Sequence, residues 1–151
     1  MKRATAFFAC GLLISGCVNP KVKRMESDRA DVLARLHRYE GLMLAMDVPG
    51  IAGMFAPDGE MVNPKRPPVH GREAIAKFLG EYSDFKVLAN ADTATSTLID
   101  GDTAEQLGNY HQKVRSPGGK LFETSGRLEI EWVRGAAGEW LIYQLATFPA
   151  E

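Results

Sequence analysis

Residues 39–79, YEGLMLAMDVPGIAGMFAPDGEMVNPKRPPVHGREAIAKFL, decide the fold. They read as the end of one helix, a short second helix, a brief strand, a loop and the start of a third helix. Asp47 is a helix-capping residue, and Pro49 falls in the first turn, where its missing N–H costs nothing because first-turn donors have no helical partner. Ile51, Met54 and Phe55 then share one apolar face, and Ala56-Pro57-Asp58-Gly59 ends the helix by turn chemistry. Glu60 to Asn63 is short and extended, closed by Pro64. The Lys65-Arg66-Pro67-Pro68 loop leads to Gly71 and Glu73, which suit the start of a helix with the stripe Ile75, Phe78, Leu79 and Tyr82.

Upstream, Ser27 or Asp28 is expected to cap a helix whose stripe is Val32, Leu36, Tyr39, Met43 and Met46. Gly41 is read as a point of close approach for a neighbouring element. Downstream the period changes from helical to alternating. Short strands are expected over Phe85–Asn90 and Ala94–Ile99, then a turn at Asp100-Gly101 and a long strand Thr103–Arg115. After Ser116-Pro117-Gly118-Gly119, a strand Lys120–Arg134 places Leu128, Ile130 and Trp132 on one face and Arg127, Glu129 and Glu131 on the other. A last strand is expected over Glu139–Phe148. Gly126 interrupts the alternation and is read as the bend or bulge that curls the sheet.

The chain of 151 residues is long enough for one core plus an appendage. A formal net charge of −1 lacks the concentrated basic face that nucleic acid requires, so no nucleic-acid partner is expected. There is no P-loop, dinucleotide fingerprint or zinc-ligand spacing, so neither a cofactor nor a metal is expected. Asp100 and Asp102 flank a turn glycine, which explains them without chemistry.

The first residues carry a separate message. Lys2 and Arg3 form a charged start, and Ala4 to Leu13 is apolar but too short to span a bilayer. Ile14-Ser15-Gly16 precedes Cys17, and the whole resembles a bacterial lipoprotein signal. The resemblance implies that residues 1–16 are removed and that Cys17 is acylated. The partner is then a membrane, held through acyl chains that each contribute about 0.8 kcal/mol per buried methylene. The expected location is the cell envelope, at the periplasmic face of the outer membrane, because Val18 rather than Asp follows the cysteine. Residues 17–27 read as lipidated cysteine and solvated tether, and residues 28–151 as the folded domain.

The order of elements, with Asp47, Gly50-Ile51, Met54-Phe55-Ala56, Gly71-Arg72-Glu73-Ala74-Ile75, Gly108-Asn109-Tyr110, Gly126-Arg127-Leu128, Trp132 and Gly138-Glu139-Trp140, resembles the SnoaL-like, ketosteroid-isomerase-like superfamily, also called nuclear transport factor 2-like. The resemblance implies an α+β cone: a curved antiparallel sheet wrapped on three helices around an internal pocket. It places Tyr39 where the isomerases have their oxyanion-binding tyrosine, and Asn63 where they have their carboxylate base. An amide accepts no proton near neutral pH, and the strand around Leu128–Glu131 offers no second donor, so steroid isomerase activity is not expected.

The candidate site residues are therefore Tyr39, Asn63 and His111 for proton transfer, and Tyr39, Asn63 and Trp132 for ligand contact. His111 shares a strand face with Asn109 and Lys113, which points it toward solvent or a second subunit. His37 and His70 read as surface residues. Three function classes follow. The expected one is non-catalytic: binding of a small apolar or amphipathic molecule, or an association module. The second is a lyase or isomerase acting by proton transfer in the pocket, which lacks an evident carboxylate base. The third is a structural envelope protein that dimerises through the open face of its sheet, and a homodimer is expected.

Overall fold

A computed structural model describes residues 19–64 and 66–150. The expected signal, Cys17 and Lys65 lie outside the described residues. The elements in order are α1 (Pro20–Ala45), α2 (Val48–Gly53), β1 (Phe55–Val62), β2 (Val69–His70), α3 (Arg72–Gly80), β3 (Lys86–Asp100), β4 (Thr103–Arg115), β5 (Leu121–Arg134) and β6 (Trp140–Pro149). The strands form one curved sheet in the order β2-β1-β6-β5-β4-β3, antiparallel except for the β1–β6 pair. This is the expected α+β cone, with the helices on the concave face.

Three local expectations are corrected. α1 starts at Pro20, not at Ser27 or Asp28: the Asn19 side chain accepts from the Lys21 amide at 2.9 Å, and Pro20 occupies the first turn. The stretch read as a tether is thus helical from Pro20 onward. Gly41 admits no close neighbour, since a Cβ there would meet nothing within 4 Å. Gly126 is not a bulge. The β4–β5 register runs through it unbroken, and the shifts lie in β3 between Val87 and Ala89 and between Ala94 and Ser96, in the β1–β6 pair between Phe55 and Glu60, and between β5 and β6 at Glu131/Trp132. These extra residues give the sheet its curl.

β3 is the larger surprise, being one strand of 15 residues where two short ones were expected. Its middle, Asn90-Ala91-Asp92, has poor intrinsic strand preference, but pairing with β4 on successive rungs holds it extended. β1 likewise begins at Phe55, through the Ala56–Gly59 stretch read as a helix stop. Its opening carbonyl, that of Phe55, accepts from Arg72 Nε at 3.1 Å and Nη2 at 2.5 Å, which ties β1 to the start of α3.

The core is contributed by every layer: Val32 and Leu36 of α1, Ile51 of α2, Phe55, Ile75 of α3, and Ile130, Trp132, Trp140 and Ile142 of the sheet. At the end of the cone nearest the start of α1, Arg134 Nη2 donates to Asp28 Oδ1 at 2.7 Å, its Nε to Asp102 Oδ1 at 3.0 Å and its Nη1 to the Gly138 carbonyl at 3.0 Å. Its guanidinium also lies 4.3 Å from the Trp140 ring centroid. One planar cation therefore joins α1, the β3–β4 turn and β5.

Candidate functional site

A chamber of about 290 Å³ opens between α1, the end of α3 and the concave face of the sheet. Its walls are mostly apolar, with Met43, Met61, Phe78, Leu79, Leu128 and Leu145 among them. Tyr39 and Asn63, two of the sequence candidates, both line it. Strand alternation supplies the rest. Asn90 and Asp92 of β3 sit opposite Gln112 and Tyr110 of β4, and all four belong to the concave face.

Asp92 is the residue the sequence reading missed. It is 7% exposed and lines the chamber. Asn90 Nδ2 donates to its Oδ2 at 3.0 Å, and Gln112 Nε2 donates to Asn90 Oδ1 at 3.1 Å. The second bond fixes which end of the Asn90 amide meets the carboxylate, so the pair works as a relay that orients Asp92. Among the described residues no donor bonds to Asp92 Oδ1, which leaves that oxygen for an occupant.

The electrostatics follow from the burial. Desolvation pushes the Asp92 carboxyl from the ordinary 3.8 up to about 6; the Asn90 hydrogen bond pulls it partly back, and the charge of Glu40 adds to the rise. A carboxylate so placed is ionised near neutral pH, yet basic enough to take a proton in a transition state. Burial first, and then the Asp92 charge, push the Tyr39 hydroxyl's pKa upward, so it stays protonated and keeps a hydrogen to donate. Asn63 Nδ2 is enclosed and has no hydrogen-bond partner, which leaves a second donor available. Tyr110 and Thr124 hydroxyls, 3.2 Å apart, complete the polar wall.

Two of the sequence candidates stand elsewhere. His111 is on the convex face, half-buried, with Nε2 2.8 Å from Glu123 Oε1. Trp132 is fully buried in the core beside the chamber and does not line it; its Nε1 donates to Gln106 Oε1 at 3.3 Å. His37 and His70 are on the surface as expected, near Glu40 and Glu60 respectively. No group of three or more metal-ligating side chains occurs among the described residues, and no described helix is long and apolar enough to cross a membrane.

Solved structures share this architecture at low identity. A ketosteroid isomerase-like protein from Erwinia carotovora atroseptica superposes with a TM-score of 0.73 at 16% identity, covering 81% of this chain and 95% of the other. ActVI-ORFA from Streptomyces coelicolor gives 0.69 at 20% identity over 82% and 97%. An NTF2-like protein with a cystatin-like fold from Novosphingobium aromaticivorans gives 0.66 at 20% over 83% and 84%. No curated protein matches the chain. The family model described as SnoaL-like domain matches residues 24–146, from within α1 to within β6. That span takes in the chamber's helices and strands, and the chain belongs to the SnoaL-like domain family.

Proposed function

We propose that this domain holds a small amphipathic molecule in its chamber and moves a proton on it, as a lyase or isomerase. The observation that carries this reading is Asp92, a buried carboxylate oriented on one oxygen and unbonded on the other. The base that Asn63 cannot supply comes instead from β3. A ligand with an acidic C–H next to a carbonyl would give its proton to Asp92 Oδ1, and the electron pair would move onto the carbonyl oxygen. Tyr39 O–H and Asn63 Nδ2 are the donors on hand for that oxygen. The proton then returns at another carbon, or a group leaves.

The experiment is native mass spectrometry of the domain purified without residues 1–17, followed by incubation of any retained molecule with the protein in deuterium oxide. The expected result is a small carbonyl compound that gains deuterium on carbon only when the protein is present. An empty chamber, or a ligand whose carbon-bound hydrogens stay unexchanged, defeats the catalytic reading.

Attachment to the cell envelope through acylated Cys17 is the second part of the reading, supported by the signal-like run before it. Replacing Cys17 by Ser should move the protein from the membrane to the soluble fraction or stall its processing. Unchanged fractionation and unchanged mass would remove this part and leave the chamber's chemistry untouched.

A further inference from the structure

Among the described residues, the chamber's lining carries one formal charge and nothing to balance a second of the same sign. Its ionisable lining residues are Asp92 and the tyrosines 39, 82 and 110; no described lysine, arginine or histidine lines it. Facing Asp92 from α1 are Tyr39 and the negative field of Glu40. From β4 come Tyr110 and Gln112, and from β3 Asn90, none of them a basic side chain. Arg66 stands outside the lining, next to residues that belong to it. It is exposed at the chamber's rim, 5.8 Å from the ring centroids of both Phe78 and Tyr82, two of the lining residues. A charge in solvent is screened within about 10 Å at ordinary salt, whereas two anions enclosed together are not.

We infer that the chamber selects its ligand by charge, admitting uncharged molecules and turning away carboxylates and other anions unless they enter with a proton. The inference rests on the small-molecule reading above and narrows it to a class. Anions are rejected because the buried Asp92 carboxylate would stand beside a second negative charge with no cation between them. Uncharged ligands meet no such opposition, and their acceptors find Asn63 Nδ2 and the Tyr39 hydroxyl. The same arrangement makes anion entry a proton-coupled event, since protonating Asp92 converts a repelling oxygen into a donor.

The test uses two probes that share a ring system, methyl naphthyl ketone and naphthoate, titrated calorimetrically into the protein and into its Asp92→Asn variant. At about pH 8 naphthoate should bind the native chamber at least about tenfold more weakly than the ketone. It should gain about tenfold as the pH falls to about 5, through the range in which Asp92 takes up its proton. The Asp92→Asn variant should bind naphthoate about as well as the ketone at both values, with the pH dependence gone. Equal binding of the two probes by the native protein at the higher pH, or a variant no better at taking naphthoate, overturns the charge rule while leaving ligand binding intact. Failure of both probes to bind either protein counts instead against the small-molecule reading itself. The pH series on the native protein keeps the test decisive should the variant fold poorly.

Discussion

Asp92→Asn should make the protein more stable above neutral pH by about 3 kcal/mol, and should erase that advantage near pH 4. The sign follows from where the carboxyl titrates. In the unfolded chain it ionises around the ordinary 3.8, and in the fold around 6, because burial disfavours the charge. Below the lower value both states are protonated and the group contributes nothing. As the pH rises toward the folded value, the unfolded state sheds its proton first. The fold is left holding either a proton or an unfavourable anion, and stability drops by about 1.4 kcal/mol for each unit of separation. Asparagine keeps the shape, and its side-chain oxygen still accepts from Asn90. The difference between the two denaturation curves, measured from about pH 4 to about pH 8, isolates this one group because the other titrations cancel. Parallel curves would show that Asp92 is solvated and not the enclosed base described above. The same substitution should slow proton exchange on a bound ligand by about a hundredfold to ten-thousandfold, the usual worth of a positioned base. Greater stability together with lost exchange is what a group retained for chemistry at the expense of folding looks like.

Gly126→Val is the second large effect, and it acts through the backbone. Gly126 of β5 lies opposite Pro149 of β6, and a Cβ on it would overlap the Phe148 carbonyl oxygen while standing 2.8 Å from both the Ala150 nitrogen and the Pro149 Cα. All three are main-chain atoms, so no rotamer change relieves the conflict. The end of β6 has to move, and with it the hydrogen bond from the Ala150 amide to the Ser125 carbonyl at 2.8 Å. The expected cost is about 3 kcal/mol, at the upper end for overpacking. Because Thr147 and Pro149 line the chamber, binding of any ligand should weaken along with stability. Gly41→Ala is the natural control. It lies within α1 with open space around it, and should instead stabilise by about 0.5–1 kcal/mol. Thermal or chemical denaturation that found Gly126→Val as stable as the native chain would mean β6 does not pack against β5 there as described.

The fold was legible where one physical signal dominated. The stripe Val32, Leu36, Tyr39 forecast the buried side of α1, and the alternation around Leu128, Ile130 and Trp132 forecast the concave face of β5. β4 was readable to its ends at Thr103 and Arg115. What was lost was lost because two signals conflicted. Asn90, Ala91 and Asp92 break the strand-forming composition of β3, so the strand seemed to stop there, and the key carboxylate fell into an imagined loop. A polar residue on the concave face is the mark of a chamber, and that mark looks like a turn when pairing partners are unknown. Reading the run straight through would have put Asn90, Asp92 and Ala94 on one side of the strand, where the β4 register places them with Gln112, Tyr110 and Gly108. The start of α1 was obscured similarly. Lys21, Lys23 and Arg24 suggested solvent-loving chain, while the cap that begins the helix is the short pair Asn19-Pro20. Tyr39 and Asn63 were found because the resemblance pointed to positions, whereas Asp92 needed geometry.

The early start of α1 changes how an anchored molecule would stand. Only Val18 separates Cys17 from the capping Asn19, and two extended residues reach about 7 Å at most. With acyl chains on Cys17, the rigid body would therefore ride almost flush with the lipid, on a leash too short to let it roll over freely. Tyr39 and the chamber lie toward the opposite end of a helix whose rise is about 1.5 Å per residue, roughly 30 Å from that leash. Cargo would then come and go well clear of the point of attachment.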